Sequence, residues 1–140
     1  MRFLLDTNAV SEVSKPRPDA GLSAWLVQCG PSCAISELTL GELTKGAWRL
    51  PSGRRRKETL AWIEETQAQY RDCTLTLSLE VLLRWGRLCG EHEARGRKLP
   101  VLDSLLAATA LVHDLTIVTR NTADFPAGVP TLNPWRGKSP

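Results

Sequence analysis

"RFLLDTN", residues 2–8, sets an apolar run against an abrupt polar stop. Arg2-Phe3-Leu4-Leu5 reads as a short buried strand. Asp, Thr or Asn after such a run commonly caps the next helix. The other reading places Asp6 at the carboxyl end of a central parallel strand, where open α/β sheets hold their ligands. The rest of the chain decides between the two.

Moving outward, strand and helix signals alternate. A short helix carrying Val10 and Val13 ends before "KPRP", residues 15–18, which cannot continue it. Asp19 starts a second helix with Leu22, Trp25 and Leu26. "SCAIS", residues 32–36, is a second buried strand, followed by a helix from about Thr39 to Arg49 that closes at "PSG". Helical spacing runs from Arg55 to Tyr70, and "CTLTL", residues 73–77, is a third strand. Leu79 to Arg95 is a long helix stopped by Gly96. "LPVLDSLLAATALVHD", residues 99–114, holds a helix from Val101 to His113 that is apolar on nearly all sides and therefore central. "TIVT", residues 116–119, is a fourth strand, and "TLN" near Thr131 a short last one. This alternation predicts the α/β class: a central, mostly parallel sheet of four to five strands, flanked by helices through right-handed crossovers. The expected organisation is one domain over residues 1–140, with a frayed tail at 135–140.

A chain of 140 residues, 42% apolar, suits one globular core. Its formal charge of +3, from 18 Lys and Arg against 15 Asp and Glu, permits a nucleic-acid partner without demanding one. Arg54, Arg55, Arg56 and Lys57 form one basic run and Arg95, Arg97 and Lys98 another. Each is either a solvated face or a grip for RNA phosphates. Cys29, Cys33, Cys73 and Cys89 make no CxxC and, with His92 and His113, no zinc-ligand spacing. No stretch approaches the roughly 20 apolar residues of a membrane span, and Met1-Arg2 leads straight into the first strand. The expectation is a cytoplasmic chain with reduced, mostly buried thiols.

Four acids border apolar stretches near strand ends or helix starts. Asp6 ends the first strand, and Glu42 follows the second in "GEL". Asp103 stands in the first turn of the most apolar helix, and Asp124 follows the fourth strand. Each has an ordinary explanation, as a cap, a helix-dipole partner, an outward-facing side chain or a turn residue. A parallel sheet, however, gathers all these positions at one edge. Two carboxylates about 4 Å apart repel by about 4 kcal/mol at an effective dielectric of 20. Either a proton or a cation must join them. Hard oxygen ligands without Cys or His select Mg²⁺ or Mn²⁺. Such a site beside basic patches points to hydrolysis of phosphodiesters.

"LLDTN", "SELTLGELTKG", "LPVLDSLLAATAL" and "VTRNTADF", in this order and spacing, resemble the PIN-domain ribonucleases. The resemblance is to the VapC-type toxins of toxin–antitoxin pairs, including the FitB-like branch, and it extends to "LNPW" near the end. It implies a PIN-like fold and a Mg²⁺-dependent endoribonuclease in which water attacks in line and leaves a 5′-phosphate. The family's first three acids fall on Asp6, Glu42 and Asp103, with Asp6 and Asp103 as the principal metal ligands. The fourth position is Asp124 or Asn121. Thr7 and Ser36 match hydroxyls that orient the carboxylates in relatives. A homodimer or a toxin–antitoxin hetero-oligomer is implied, with a small VapB-like antitoxin and an RNA substrate. An acidic pocket that binds cations also binds a guanidinium. An antitoxin Arg or Lys among Asp6, Glu42 and Asp103 would therefore silence it, with apolar residues packing near Val10, Val13 and Trp48.

Two rivals stand beside this reading. A dehalogenase-type phosphatase also begins strand-then-Asp, but needs a second Asp where this chain has Asn8. A PIN-fold RNA- or protein-binding module with weak or no catalysis is the other, motivated by Asn121.

Overall fold

The computed structural model describes residues 1–137. In it β1 (Phe3–Leu5) is the middle strand of a five-stranded sheet in the order β3-β2-β1-β4-β5. The other strands are β2 (Cys33–Ser36), β3 (Thr74–Leu75), β4 (Thr116–Val118) and β5 (Thr131–Leu132), and every pairing is parallel. The chain builds β1, β2 and β3 outward to one side, then crosses back to place β4 and β5 on the other. That crossing makes β1/β4 the switch point, where doubly wound sheets open a crevice at their carboxyl ends.

Side-chain alternation along β1 divides the core in two. Phe3 and Leu5 face α1 (Thr7–Glu12), α2 (Ala20–Cys29), α3 (Glu37–Trp48) and α4 (Arg54–Gln69), in a layer with Val10, Leu22, Leu43 and Ile63. Leu4 faces α5 (Leu79–Glu93) and α6 (Val101–His113), with Leu88, Leu106 and Ala107. Buried on both faces, such strands must be apolar throughout rather than alternating. The predicted central helix is α6, whose 106–110 stretch is wholly buried.

Local chemistry moves several boundaries. α3 begins two residues before the expected Thr39, because Ser36 Oγ accepts the Leu38 N–H at 3.1 Å and caps the helix there. β3 keeps only Thr74–Leu75, since Arg71–Cys73 curls into a 3₁₀ turn first. A short edge strand offers little template for pairing with another chain. All four cysteines are free, yet only Cys33 is fully buried; the others are half-buried, a correction to the expected mostly buried thiols. Burial pushes the Cys33 thiol up to about 12.

The expected frayed tail is corrected at its first three residues. Trp135 is 2% exposed and packs into the α1–α4 layer. Asp19, the N-cap of α2, accepts from Leu22 N–H at 3.0 Å and also from Arg136 N–H at 2.9 Å. The tail also lies so close to α2 that a Cβ at Gly21 would fall on the backbone of Pro134 and Arg136. The remaining part of that expectation, residues 138–140, lies outside the described residues.

Candidate active site

Both readings of Asp6 hold at once. Its carboxylate Oδ1 accepts the Ala9 N–H at 2.8 Å, capping α1, while the residue itself ends β1 at the switch point. The β1–β4 register pairs Leu5 with Val118. One residue on, it brings Asp6 opposite Thr119, whose hydroxyl hydrogen-bonds the Asp6 carboxylate. Thr119 is fully buried and also accepts the Asn121 N–H at 3.0 Å. Among the residues that sequence reasoning missed, this one matters most. It ends the apolar run of β4 as Asp6 ends that of β1, but a hydroxyl there carries no charge to mark it.

Glu42 lies one turn into α3, and Thr7 reaches it from α1, donating its hydroxyl to Glu42 Oε1 at 2.6 Å. Thr39 stands 3.5 Å from the same hydroxyl. Asp103 is half-buried in the first turn of α6. The next residue, Ser104, is held by its own bonds, accepting from Trp85 Nε1 at 2.9 Å and donating to the Val101 carbonyl at 2.8 Å. These fix the α6 start against α5. Asp124 is exposed on the 3₁₀ turn Thr122–Asp124 after β4.

Electrostatics tie the acids together. Burial raises the Asp6 pKa to about 6, against bonds from Thr119 and Ala9 that lower it; the charges of Asp103 and Glu42 raise it further. Asp103 is also raised, by burial first and then by the charges of Asp124 and Glu42. The structure therefore brings Glu42 and Asp103 into the field of Asp6, and Asp124 into that of Asp103. None of the four has an ion-pair partner among the described residues, where the ion pairs involve Glu12, Glu58 and Glu91. Uncompensated hard oxygen donors of this kind suit a divalent cation. Among the described residues no three His, Cys, Asp or Glu side chains close tightly enough to hold a metal as they stand.

Other expected participants lie elsewhere. Ser36 Oγ accepts the Leu38 N–H at the α3 cap, and no hydrogen bond from it to a carboxylate occurs among the described residues. Within the basic run, Arg54 pairs with Glu58 at 2.7 Å. Arg56 donates to the Leu50 carbonyl at 3.1 and 2.6 Å and lies 4.9 Å over the Trp48 ring. Arg56 thus braces the α3–α4 turn, while Arg54, Arg55 and Lys57 stay exposed at the surface. Trp48 and Val13 are exposed as expected, at 59% and 43%, but Val10 belongs to the core at 2%. The exposed edge of that core is a groove of about 620 Å³ walled by Val13, Leu26, Trp62 and Tyr70. No helix among the described residues is long and apolar enough to cross a membrane.

Comparison with known proteins places this geometry. The PIN domain family matches residues 3–127. The chain is 31% identical to the VapC ribonuclease Y4jK of Sinorhizobium fredii over 136 residues, covering 95% of this chain and 97% of that one. Among solved structures it superposes on FitAcB from Neisseria gonorrhoeae with a TM-score of 0.86 and 29% identity, over 96% of this chain and 99% of that one. A toxin–antitoxin complex from Klebsiella pneumoniae superposes with a TM-score of 0.68 and 27% identity, over 94% and 97%.

Proposed function

The chain belongs to the PIN-domain family, in its VapC branch, and from that premise we propose that it is the toxin of a toxin–antitoxin pair, an endoribonuclease using Mg²⁺ in the cytoplasm. The observation that carries this reading is the pair Asp6 and Asp103 at the carboxyl edge of the sheet, each burdened by burial and by the charge of Glu42, with Asp124 acting on Asp103. PIN ribonucleases as a class depend on divalent metal. Here Asp6 and Asp103 would be the principal ligands, with Glu42 and Asp124 completing the set. The bound cation supplies Lewis-acid stabilisation of phosphodiester charge and a water of lowered pKa.

The chain's own residues prepare the site. Thr119 and the Ala9 N–H hold the Asp6 carboxylate in one orientation, so little order has to be created on loading. Thr7 ties down one oxygen of Glu42 and leaves the other able to accept a proton from, or position, the attacking water. Arg54, Arg55 and Lys57, all exposed, are the phosphate-binding candidates of their run.

We assign the fourth acidic role to Asp124, because its charge is felt at Asp103. Asp124→Ala should slow cleavage about 10–100-fold, the range seen when metal-site partners are removed, and Asn121→Ala should slow it less. The reverse order in a timed assay on labelled RNA returns the role to Asn121. The partner is a short antitoxin whose apolar helix lies in the Val13–Trp62 groove and whose Arg or Lys enters the acidic site.

Mapping cut sites in total cellular RNA after brief induction tests the whole reading. New ends bearing 5′-phosphates should accumulate with the wild-type chain and not with Asp103→Asn. Identical end profiles for the two proteins would refute it.

A further inference from the structure

A cavity of about 370 Å³ adjoins the acids: Glu42 lines it, and so does Leu102, the residue before Asp103. Leu38 and Leu77 make more of its wall apolar, and Glu37 Oε2 accepts the Leu77 N–H at 3.3 Å. Lys45 is the cation of this wall. It stands exposed on α3, three positions beyond Glu42. Side chains at that spacing on a helix are neighbours, with Cβ atoms about 5–6 Å apart, and opposite charges there commonly pair. Glu12 and Lys15, also three positions apart, do pair, at 2.9 Å. Glu42 and Lys45 do not. Glu42 takes its hydrogen bond from Thr7 at 2.6 Å, and the Lys45 ammonium makes no hydrogen bond or ion pair among the described residues.

We propose that Lys45 grips the RNA phosphate next to the scissile one and so sets the strand in register over the acids. The inference rests on the ribonuclease reading above and adds to it a substrate-binding residue outside the basic run of α4. A strand that enters a site built of carboxylates brings like charge to like charge. Away from the scissile phosphate, the chain must offset that repulsion with a cation of its own. Lys45 is such a cation, on the same cavity wall as Glu42 and engaged by no carboxylate. A phosphate can therefore take its ammonium without first breaking an ion pair. The leucines of the same wall offer no donor or acceptor to a base edge. Contacts to phosphate position a strand and carry no sequence information, so this subsite fixes where the strand lies and selects no base.

A cycle that alters both partners of the contact tests this. The substrate is a short single-stranded RNA with a mapped cut site, made with ordinary phosphates or with one neutral methylphosphonate beside the cut. On the ordinary RNA, Lys45→Met should raise KM about tenfold, the scale of one hydrogen bond to a charged group, with kcat little changed. Lys45→Arg, which keeps the charge, should stay near the wild-type KM. At one position beside the cut, the methylphosphonate should cost wild-type protein the same factor and cost Lys45→Met nothing further. A Lys45→Met KM equal to wild type, an equal loss in Lys45→Arg, or methylphosphonate losses that add fully to that of Lys45→Met at every position overturns the contact and leaves the ribonuclease reading intact. Wild-type protein that cuts no RNA overturns the ribonuclease reading, and fluorescence anisotropy with a short single-stranded RNA then decides the contact. An affinity about tenfold lower for Lys45→Met, with a log–log salt slope shallower by about 0.7, supports it, and an unchanged affinity and slope overturn it.

Discussion

Asp6→Asn protein will cut RNA more than about 100-fold more slowly than wild type, since even partners one step removed from a metal commonly cost 10–100-fold. The same protein, stripped of metal, will be more stable than wild type at pH 8. The sign follows from the raised pKa. Asp6 titrates near 6 in the folded chain against an ordinary 3.8, so the folded state holds the proton more tightly. Its contribution to stability is complete below about pH 3.8 and is lost as pH rises through about 6. A shift from 3.8 to about 6 corresponds to at most about 3 kcal/mol. Asn keeps the shape and an acceptor for Ala9 without the buried charge. The melting difference between variant and wild type should therefore grow from near zero at pH 4 to several degrees at pH 8, and Mg²⁺ should shrink it by stabilising only the wild type. A variant less stable than wild type at pH 8 would mean that the carboxylate is held for the fold and not for a ligand.

Trp135→Ala will cost about 3–5 kcal/mol, the usual range for truncating a buried aromatic, and lower the melting temperature by roughly 10–20 °C for a chain of this size. The indole is 2% exposed and fills the layer built on Phe3, Leu5 and Leu22. Its segment is pinned further by the Asp19 bond to Arg136 and by the contact at Gly21. Thermal melts of the purified variant measure the effect directly. A fall of only a degree or two would mean that this segment frays in solution.

These two residues illustrate what a sequence can and cannot disclose. Asp6 was legible because an apolar run ending in a carboxylate is a local pattern, and four such patterns on alternating elements imply a shared edge once the sheet is parallel. Asp103 stood out for the cost of a carboxylate on an otherwise apolar helix. Trp135 was misread because nothing in "LNPWRGKSP" reveals that this segment returns its indole to the layer built on Phe3, Leu5 and Leu22. Thr119 was missed because a hydroxyl carries no charge signal; its place opposite Asp6 depends on the register between strands more than 110 positions apart, Phe3 with Thr116 among the pairs. Arg56 and Ser36 erred the other way. Each has the right chemistry for the site, and each meets a nearby backbone group that composition cannot show, Arg56 donating to the Leu50 carbonyl and Ser36 accepting the Leu38 N–H.

Cleavage of a labelled single-stranded RNA by purified protein, with and without divalent ions, bears most directly on the central claim that these acids work through a metal. Wild-type protein should cut with Mg²⁺, stop when EDTA is in excess, and resume when Mg²⁺ is restored, while Asp103→Asn stays inactive throughout. Undiminished cutting by the metal-free wild type, or by Asp103→Asn, would contradict it.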